Sequence, residues 1–172
     1  MKVFLIILLI INFSLSADLS KLTNSQKEIL AKTYIKAKPY GLEFQMMAIA
    51  WKESRFGLEP INLNDPSCGV FHNLIETVAK NNGLSRGKYA DNRICSQLIN
   101  DFEFSFSEAL DVLLFYRDYF KNDWRKAVKA YNAGFKIKNG ESYYKDILKR
   151  IIQLKLFVED NKKAFEMLEE MR

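Results

Sequence analysis

The spacing of helix caps and helix breakers is the sequence feature that most limits the fold of this 172-residue chain. Ser25-x-x-Glu28 and Ser105-x-x-Glu108 match the capping box that begins a helix, and Asp123 is a third predicted N-cap. Apolar residues recur between the breaks at helical spacing, and no segment alternates apolar and polar residues as a half-buried strand does. The sequence therefore predicts an all-α or mainly α fold.

A long irregular segment, residues 57–71, interrupts this helical pattern. It is rich in residues that favour turns: Gly57, Pro60, Asn62, Asn64, Asp65, Pro66 and Gly69. Loops of this length in small domains are usually functional. A predicted helix over residues 42–55 precedes the loop. Further helices are predicted from near His72, over 93–102, over 105–121, from Asp123 to Tyr131, and from Ser142 onward.

Glu53 lies at the end of the helix that precedes this loop. Helical spacing places its side chain on an apolar face formed by Met46, Ile49 and Ala50. Burial disfavours the charged form of a carboxyl group, so a buried glutamic acid stays protonated near neutral pH and can donate that proton to a leaving group. The alternative is a glutamate that caps a surface helix and pairs with Lys52 or Arg55.

Two further segments follow Glu53-Ser54 in a set order. Ser67-Cys68-Gly69-Val70-Phe71-His72 lies in the loop, and Ala130-Tyr131-Asn132-Ala133-Gly134 ends a later helix. In this order and spacing, residues 25–152 resemble the catalytic domain of the soluble lytic transglycosylases, in the lysozyme-like superfamily. The resemblance implies a lysozyme-like single domain with a long substrate-binding loop after the catalytic helix, and an enzyme without a cofactor or a metal.

The resemblance also implies the reaction. Such enzymes cleave the β-1,4 bond between N-acetylmuramic acid and N-acetylglucosamine in peptidoglycan. One residue, here Glu53, first donates a proton to the leaving oxygen and then removes a proton from the 6-hydroxyl of the sugar, which gives a 1,6-anhydro end without water. Ordinary glycosidases use a second carboxylate. Glu59 and Asp65 are the candidates for that role, and both are more typical of loop or turn residues.

Around Glu53, the resemblance implies a loop that forms the substrate wall. Ser54 would hold the end of the catalytic helix, while Ser67, Gly69, Val70 and Phe71 would lie beside the cleaved bond. Glycine at position 69 would let a sugar ring approach the backbone closely.

His72 stands where the family has glutamine. It is expected to bind a sugar or an acetamide group, and a surface or helix-start histidine is an equal alternative.

The later segments supply three more expected site residues. Tyr131 should lie near Glu53, with Asn132 and Gly134 mainly architectural. The final tyrosine of the family corresponds to Tyr143 or Tyr144, and Tyr143 fits better because an apolar residue follows four positions later. The predicted substrate-binding set is thus Ser54, Ser67, Gly69, Val70, Phe71, His72, Tyr131, Asn132 and Tyr143.

Cys68 and Cys95 are the two cysteines of the chain. In an oxidising compartment, a disulfide between them would close a loop of about 28 residues and contribute about 3 to 4 kcal/mol in the chain-entropy model. It would also fix the substrate-binding loop. Two buried, reduced thiols are the alternative. With one histidine in the chain, neither a Cys-His catalytic set nor a zinc site can be assembled.

Residues 1–17 have the three regions of a secretory signal peptide. Met1-Lys2 precedes an apolar run over residues 3–13, and small residues follow up to Ala17. The run is too short to span a bilayer, although an uncleaved membrane-anchoring helix is the alternative. Cleavage would leave residues 18–172 as one exported, soluble domain, with an amphipathic helix at 158–172. For the family it resembles, export implies the periplasm of a Gram-negative bacterium.

The net charge of the chain does not indicate which kind of molecule it binds. A formal net charge of +5 is mild, and no basic cluster is interleaved with aromatic residues as nucleic-acid binding requires. The expected partner is the glycan strand of peptidoglycan, bound by a monomer, with a secretion or pilus assembly as a further candidate. Two other functions stay open: a hydrolysing muramidase of the lysozyme type, and a non-catalytic peptidoglycan-binding protein associated with an envelope-spanning assembly.

Overall fold

The computed structural model of the protein describes residues 19–170, apart from the side chain of Ser20. Within this range lie eight α-helices: α1 (Asn24–Ala37), α2 (Glu43–Ser54), α3 (Ile75–Asn81), α4 (Lys88–Asn100), α5 (Phe102–Tyr119), α6 (Trp124–Ala133), α7 (Glu141–Asp160) and α8 (Lys162–Glu170). Three short 3-10 helices accompany them, at Leu19–Lys21, Lys38–Tyr40 and Ile137–Gly140. The predicted mainly α fold is confirmed. The predicted signal peptide and Met171 lie outside the described residues.

The chain divides into two compact units. Among the described residues, the first comprises residues 19–51 and 147–170, and the second comprises Lys52–Asp146. In the first unit, the Tyr34 ring of α1 meets the Phe165 ring of α8 edge to face, with 4.7 Å between centroids. Phe165 and Leu168 are buried. The apolar face of α8, within the predicted C-terminal amphipathic segment, therefore belongs to the core of this unit.

The second unit has a core that surrounds a disulfide. Cys68 and Cys95 are bonded, with their Cα atoms 5.3 Å apart, so the predicted bridge is present. Buried residues from α3 and α4 pack against Cys68: Ile75, Val78, Ala79, Ile94 and Leu98. The bridge thus ties the loop segment after α2 to helix α4.

Three two-residue strands form along this part of the chain, two within the predicted loop and one just after it. β1 (Ile61–Asn62), β2 (Ser67–Cys68) and β3 (Asn73–Leu74) form an antiparallel sheet in the order β1-β2-β3. The helix predicted to begin near His72 is present as α3, and it begins three residues later, at Ile75, after β3. The Ile75 amide donates to the Pro66 carbonyl at 3.0 Å, just beyond the paired residues Ser67 and Leu74, at the open end of the β2–β3 hairpin. Strands of two residues are too short to show an alternating pattern.

The first helix begins earlier than its predicted cap. Its capping box is formed by Thr23 and Gln26, whose side chains each accept a hydrogen bond from the other's backbone amide. The predicted box at Ser25 and Glu28 lies two residues inside the helix. Both pairs match the capping pattern, so the sequence alone did not decide between them.

A similar correction applies to α5, whereas the cap of α6 is confirmed. Asp101 caps α5 by accepting from the Phe104 amide at 3.0 Å, and the predicted cap Ser105 lies one turn inside that helix, fully buried. Asp123 caps α6 by accepting from the Lys126 amide at 3.1 Å. Within residues 19–170, no helix is both long and apolar enough to cross a membrane.

Candidate active site

Glu53 is the next-to-last residue of α2 and belongs to the second unit. Its side chain is 17% exposed. The apolar residues that share its helix face, Met46, Ile49 and Ala50, are fully buried. Its two basic neighbours pair with other carboxylates: Lys52 with Asp146 at 2.8 Å, and Arg55 with Glu59 at 2.7 Å. The geometry therefore does not favour the alternative in which Glu53 serves a surface ion pair.

Tyr143 binds the first oxygen of the Glu53 carboxyl group. Its hydroxyl group donates to Oε1 at 2.5 Å, and the tyrosine is 7% exposed. Burial, followed by the charge of Glu53, raises the pKa of Tyr143 well above its usual value of 10. The hydroxyl therefore keeps its proton and acts as a hydrogen-bond donor to the carboxylate.

Tyr131 approaches the same carboxyl group from α6. Its hydroxyl group donates to the backbone carbonyl of Phe71 at 3.0 Å. Burial is the main cause that raises the pKa of Tyr131 well above 10, and the nearby charge of Glu53 is the second. Tyr131 thus lies in the electrostatic field of Glu53 while it holds the loop backbone.

His72 faces the second oxygen of the Glu53 carboxyl group. Its Nδ1 lies 3.5 Å from Oε2, and its side chain is 9% exposed. Its Nε2 lies 2.8 Å from the backbone carbonyl of Glu59. Burial lowers the pKa of His72, but the Glu53 carboxylate and the Glu59 carbonyl, aided by Asp65, raise it more, so the pKa lies above its usual 6.5.

The sequence did not predict this contact. It predicted a contact of His72 with a sugar or an acetamide group, or else a surface or helix-start histidine. The group that orients the ring is the backbone carbonyl of Glu59, and any residue at position 59 would supply a carbonyl. The structure gives His72 a positive φ of 45°, which the sequence does not reveal. Such φ values are uncommon outside glycine and occur more often at functional sites.

The two other carboxylates of the loop point elsewhere. The carboxylate of Glu59 accepts from Arg55 at 2.7 Å, and that of Asp65 accepts from the Ser67 hydroxyl group. Among the described residues, Glu53 is the one carboxylate that hydrogen-bonds to Tyr143 and pairs with His72. The arrangement offers one acid–base group with a hydroxyl donor on one side and an imidazole on the other.

Ser54 fastens the end of α2 to the loop. Its hydroxyl group donates to the Val70 carbonyl at 2.6 Å and accepts from the Gly57 amide at 2.7 Å. Because Ser54 is fully buried, it has no surface to offer a substrate. Its predicted role in holding the helix end fits this geometry, whereas a direct substrate contact by Ser54 does not.

The predicted loop wall lies mostly inside the second unit. Ser67 and Val70 are 4% and 6% exposed, and Phe71 is fully buried. The Phe71 ring packs against Phe102 and Phe106, with centroids 6.2 and 5.9 Å away. The side chain of Phe71 is therefore a core group and not a substrate contact, and its backbone carbonyl is the part that meets Tyr131.

Gly69 is required for a different reason from the predicted one. A Cβ atom there would lie 2.5 Å from the Leu98 carbonyl oxygen and 2.6 Å from Ser105 Oγ, and the φ angle is +86°. The space beside Gly69 is thus filled by the protein itself and not left for a sugar ring. Glycine lets the loop pass close to α4 and α5.

Two remaining positions are resolved by the structure. Asn132 is exposed, and its side chain makes no hydrogen bond to the described part of the chain, so it does not hold the loop. Tyr144 lies beside cations, with Arg125 and Lys129 at 5.6 and 5.8 Å from its ring centre. Tyr143, the position preferred from the sequence, is the tyrosine that meets Glu53.

The residues around Glu53 include no cluster that could hold a metal ion. Within the described range, no three His, Cys, Asp or Glu side chains come together in such an arrangement.

Comparison with known proteins finds one relative of unknown activity. The chain is 28% identical over 131 residues to a protein of Enterobacteria phage T4 described as an uncharacterized 20.7 kDa protein in the vs-regB intergenic region. The similarity spans 72% of this chain and 68% of the phage protein. No protein-family model matches the chain, and no solved structure matches it.

Proposed function

We propose that this chain is a peptidoglycan lytic transglycosylase in which Glu53 is the single acid and base. The observation that carries the proposal is the setting of the Glu53 carboxyl group, between the Tyr143 hydroxyl at 2.5 Å and the His72 imidazole at 3.5 Å. The order of its sequence motifs, which resembles the soluble lytic transglycosylases, supplies the substrate class.

The proposed reaction uses one carboxyl group twice. Protonated Glu53 gives its proton to the oxygen that leaves the anomeric carbon of N-acetylmuramic acid. The substrate's own N-acetyl group assists at that carbon as positive charge develops there. The carboxylate then takes the proton of the muramic 6-hydroxyl, whose oxygen bonds to the anomeric carbon and closes a 1,6-anhydro ring. The proton returns to Glu53, so the cycle balances without water.

The partners of Glu53 suit this double role. When Glu53 gives up its proton, negative charge appears on the carboxylate, and the Tyr143 hydroxyl group stabilises that charge through Oε1. Hydrogen bonds to charged groups are worth about 1.5 to 3 kcal/mol. Because Tyr143 keeps its own proton, it supports the carboxylate without competing for the transferred proton.

The proposal extends to location and partners. The signal-like residues 1–17 support export to the periplasm, where peptidoglycan lies, and the Cys68–Cys95 disulfide suits an oxidising compartment. The proposed partner is the glycan strand, bound by a monomer, and a secretion or pilus assembly is the candidate that such an enzyme would serve.

Digestion of purified murein sacculi tests the function. The protein, purified with its disulfide formed, is compared with Glu53→Gln and with the matched control Glu108→Gln, and the released products are identified by mass spectrometry. We expect anhydromuropeptides from the wild type and from Glu108→Gln, and none from Glu53→Gln. Reducing muramic ends would instead identify a hydrolysing muramidase. No release, where a control enzyme works, would favour a non-catalytic peptidoglycan-binding protein.

A further inference from the structure

The His72 ring is held in one orientation. A carbonyl oxygen can only accept a hydrogen bond, so Nε2 of His72 must carry a proton and donate it to the Glu59 carbonyl, 2.8 Å away. The ring is 9% exposed, and its backbone has a φ of 45°. With Nε2 committed, Nδ1 is the nitrogen that gains and loses a proton, and it faces Glu53.

The two oxygens of Glu53 therefore have partners of different kinds. Oε1 accepts from the Tyr143 hydroxyl, which stays protonated. Oε2 lies 3.5 Å from His72 Nδ1, which titrates near neutral pH. A proton bound on this side of the carboxyl group has two places to reside, Oε2 or Nδ1.

We propose that His72 is a positioning residue that shares one proton with Glu53 and so holds the carboxyl group ready for its acid step. This inference rests on the proposed function for its catalytic consequence, but the shared proton itself is a property of the folded protein. With one proton present, the pair is either an imidazolium beside a carboxylate or a neutral imidazole beside a carboxylic acid. Without it, a carboxylate faces an imidazole lone pair, and no proton is available for the leaving oxygen.

The charged groups around His72 favour retention of this proton. Glu53 and the more distant Asp65 both raise the pKa of His72, and the Glu59 carbonyl accepts from its other nitrogen. Tyr131 and Tyr143, the other titratable groups at the carboxyl group, remain neutral and add no opposing charge.

A nuclear magnetic resonance titration tests the pair directly. His72 is the one histidine of the chain, so its imidazole signals need no assignment by mutation. In the wild type we expect His72 to titrate above pH 6.5, and in Glu53→Gln its pKa should fall by about 1 unit, because an opposite charge within 4–6 Å is lost. The control is Glu59→Gln, which alters an exposed carboxylate paired with Arg55 and keeps the backbone carbonyl. An unchanged His72 titration in Glu53→Gln would overturn the proposal.

The pH dependence of glycan cleavage tests the consequence. The variant His72→Gln carries the residue found at this position in the soluble lytic transglycosylases, which the chain resembles. We expect this variant to remain active, and we expect its activity to decline at a lower alkaline pH than that of the wild type. If the activities of the wild type and His72→Gln declined at the same alkaline pH, the proposed catalytic role of His72 would be overturned. If the wild type cleaves no glycan, the proposed function fails, and the titration of Glu53→Gln still decides whether the proton is shared.

Discussion

Glu53 and Glu108 are both helical glutamates withdrawn from solvent in the second unit, and they differ in their partners. Glu108, on α5, is 7% exposed, and its Oε1 accepts from the Asn82 amide at 2.6 Å. Its Oε2 is buried and has no hydrogen-bond partner among the described residues. Glu53 keeps 17% of its side chain exposed and contacts a tyrosine and a histidine.

The difference shows that burial alone does not determine which partners a carboxylate has. An amide such as that of Asn82 holds an oxygen in place but cannot exchange a proton near neutral pH, whereas an imidazole can. A reactive carboxyl group also needs an opening to solvent, which Glu53 has and Glu108 largely lacks. Both glutamates are withdrawn from solvent, so the tyrosine and the histidine beside Glu53 are what distinguish it.

The largest expected effect is on the rate of glycan cleavage. Glu53→Gln should lower kcat/KM on purified glycan strands by about 100- to 10,000-fold, the contribution typical of general acid–base catalysis. Glu108→Gln removes the same charge from a more buried position and should cleave at nearly the wild-type rate. Equal losses in the two variants would show that burial, and not the proton-exchanging partner, distinguishes an important glutamate here.

The disulfide should have the next largest effect, because the segment between Cys68 and Cys95 carries His72 and Asn82, a partner of each glutamate. Replacing both cysteines by serine should lower the free energy of unfolding by about 3 to 4 kcal/mol, as measured by urea denaturation. Without the disulfide, His72 and Asn82 should both be held less firmly. Only the loss of the His72 contact with Glu53 should reduce activity. A double variant as stable as the wild type would mean that the surrounding apolar cluster fixes this segment unaided.

Removing one hydrogen-bond donor from each glutamate sharpens the comparison further. Tyr143→Phe should lower kcat/KM by about 10- to 100-fold, since a hydrogen bond to the developing carboxylate is lost. Asn82→Ala should leave kcat/KM unchanged and lower the free energy of unfolding by about 1 to 3 kcal/mol, the cost of an unsatisfied buried acceptor. Equal losses of kcat/KM in Asn82→Ala and Tyr143→Phe would contradict a special role for the Tyr143 hydrogen bond to Glu53.

The smallest expected effect is on the pH dependence of stability. A histidine whose pKa is raised by folding stabilises the folded state below its unfolded pKa, and this contribution disappears as the pH rises through the folded pKa. The pKa of His72 is raised above 6.5, so the free energy of unfolding should decline modestly from about pH 6.5 upward. Glu53→Gln should flatten the decline in urea denaturation series, and Glu108→Gln should preserve it.

Local patterns predicted the helices and the disulfide better than they predicted the roles of single residues. The Asp123 cap and the Cys68–Cys95 bridge depend on residue type, and both are present in the structure. Glycine is needed at position 69 because of the close approach of Leu98 and Ser105, which lie 29 and 36 residues further along the sequence. Such contacts arise from packing between elements and cannot be read from the neighbouring residues. The local sequence therefore suggested that a sugar ring approaches Gly69.

The same limit applies to the loop residues. Phe71 fits the apolar pattern of a substrate wall, but the neighbouring rings of Phe102 and Phe106 draw it into the core. His72 points at Glu53 because the Glu59 carbonyl fixes its other nitrogen. Every residue has a backbone carbonyl, so the sequence does not show which carbonyl will orient a histidine. The contact of His72 with the predicted catalytic glutamate could therefore be found only from the folded structure.

The Ser54 hydroxyl group gives the site a mechanical property. It joins the Val70 carbonyl to the end of α2, one residue after Glu53, and it is shielded from water on all sides. A displacement of the loop at Val70 is therefore transmitted to the backbone beside the carboxyl group. We expect the motions of the loop and of Glu53 to be correlated, so that a glycan strand pressing on the loop would also turn the carboxyl group that we propose as its acid.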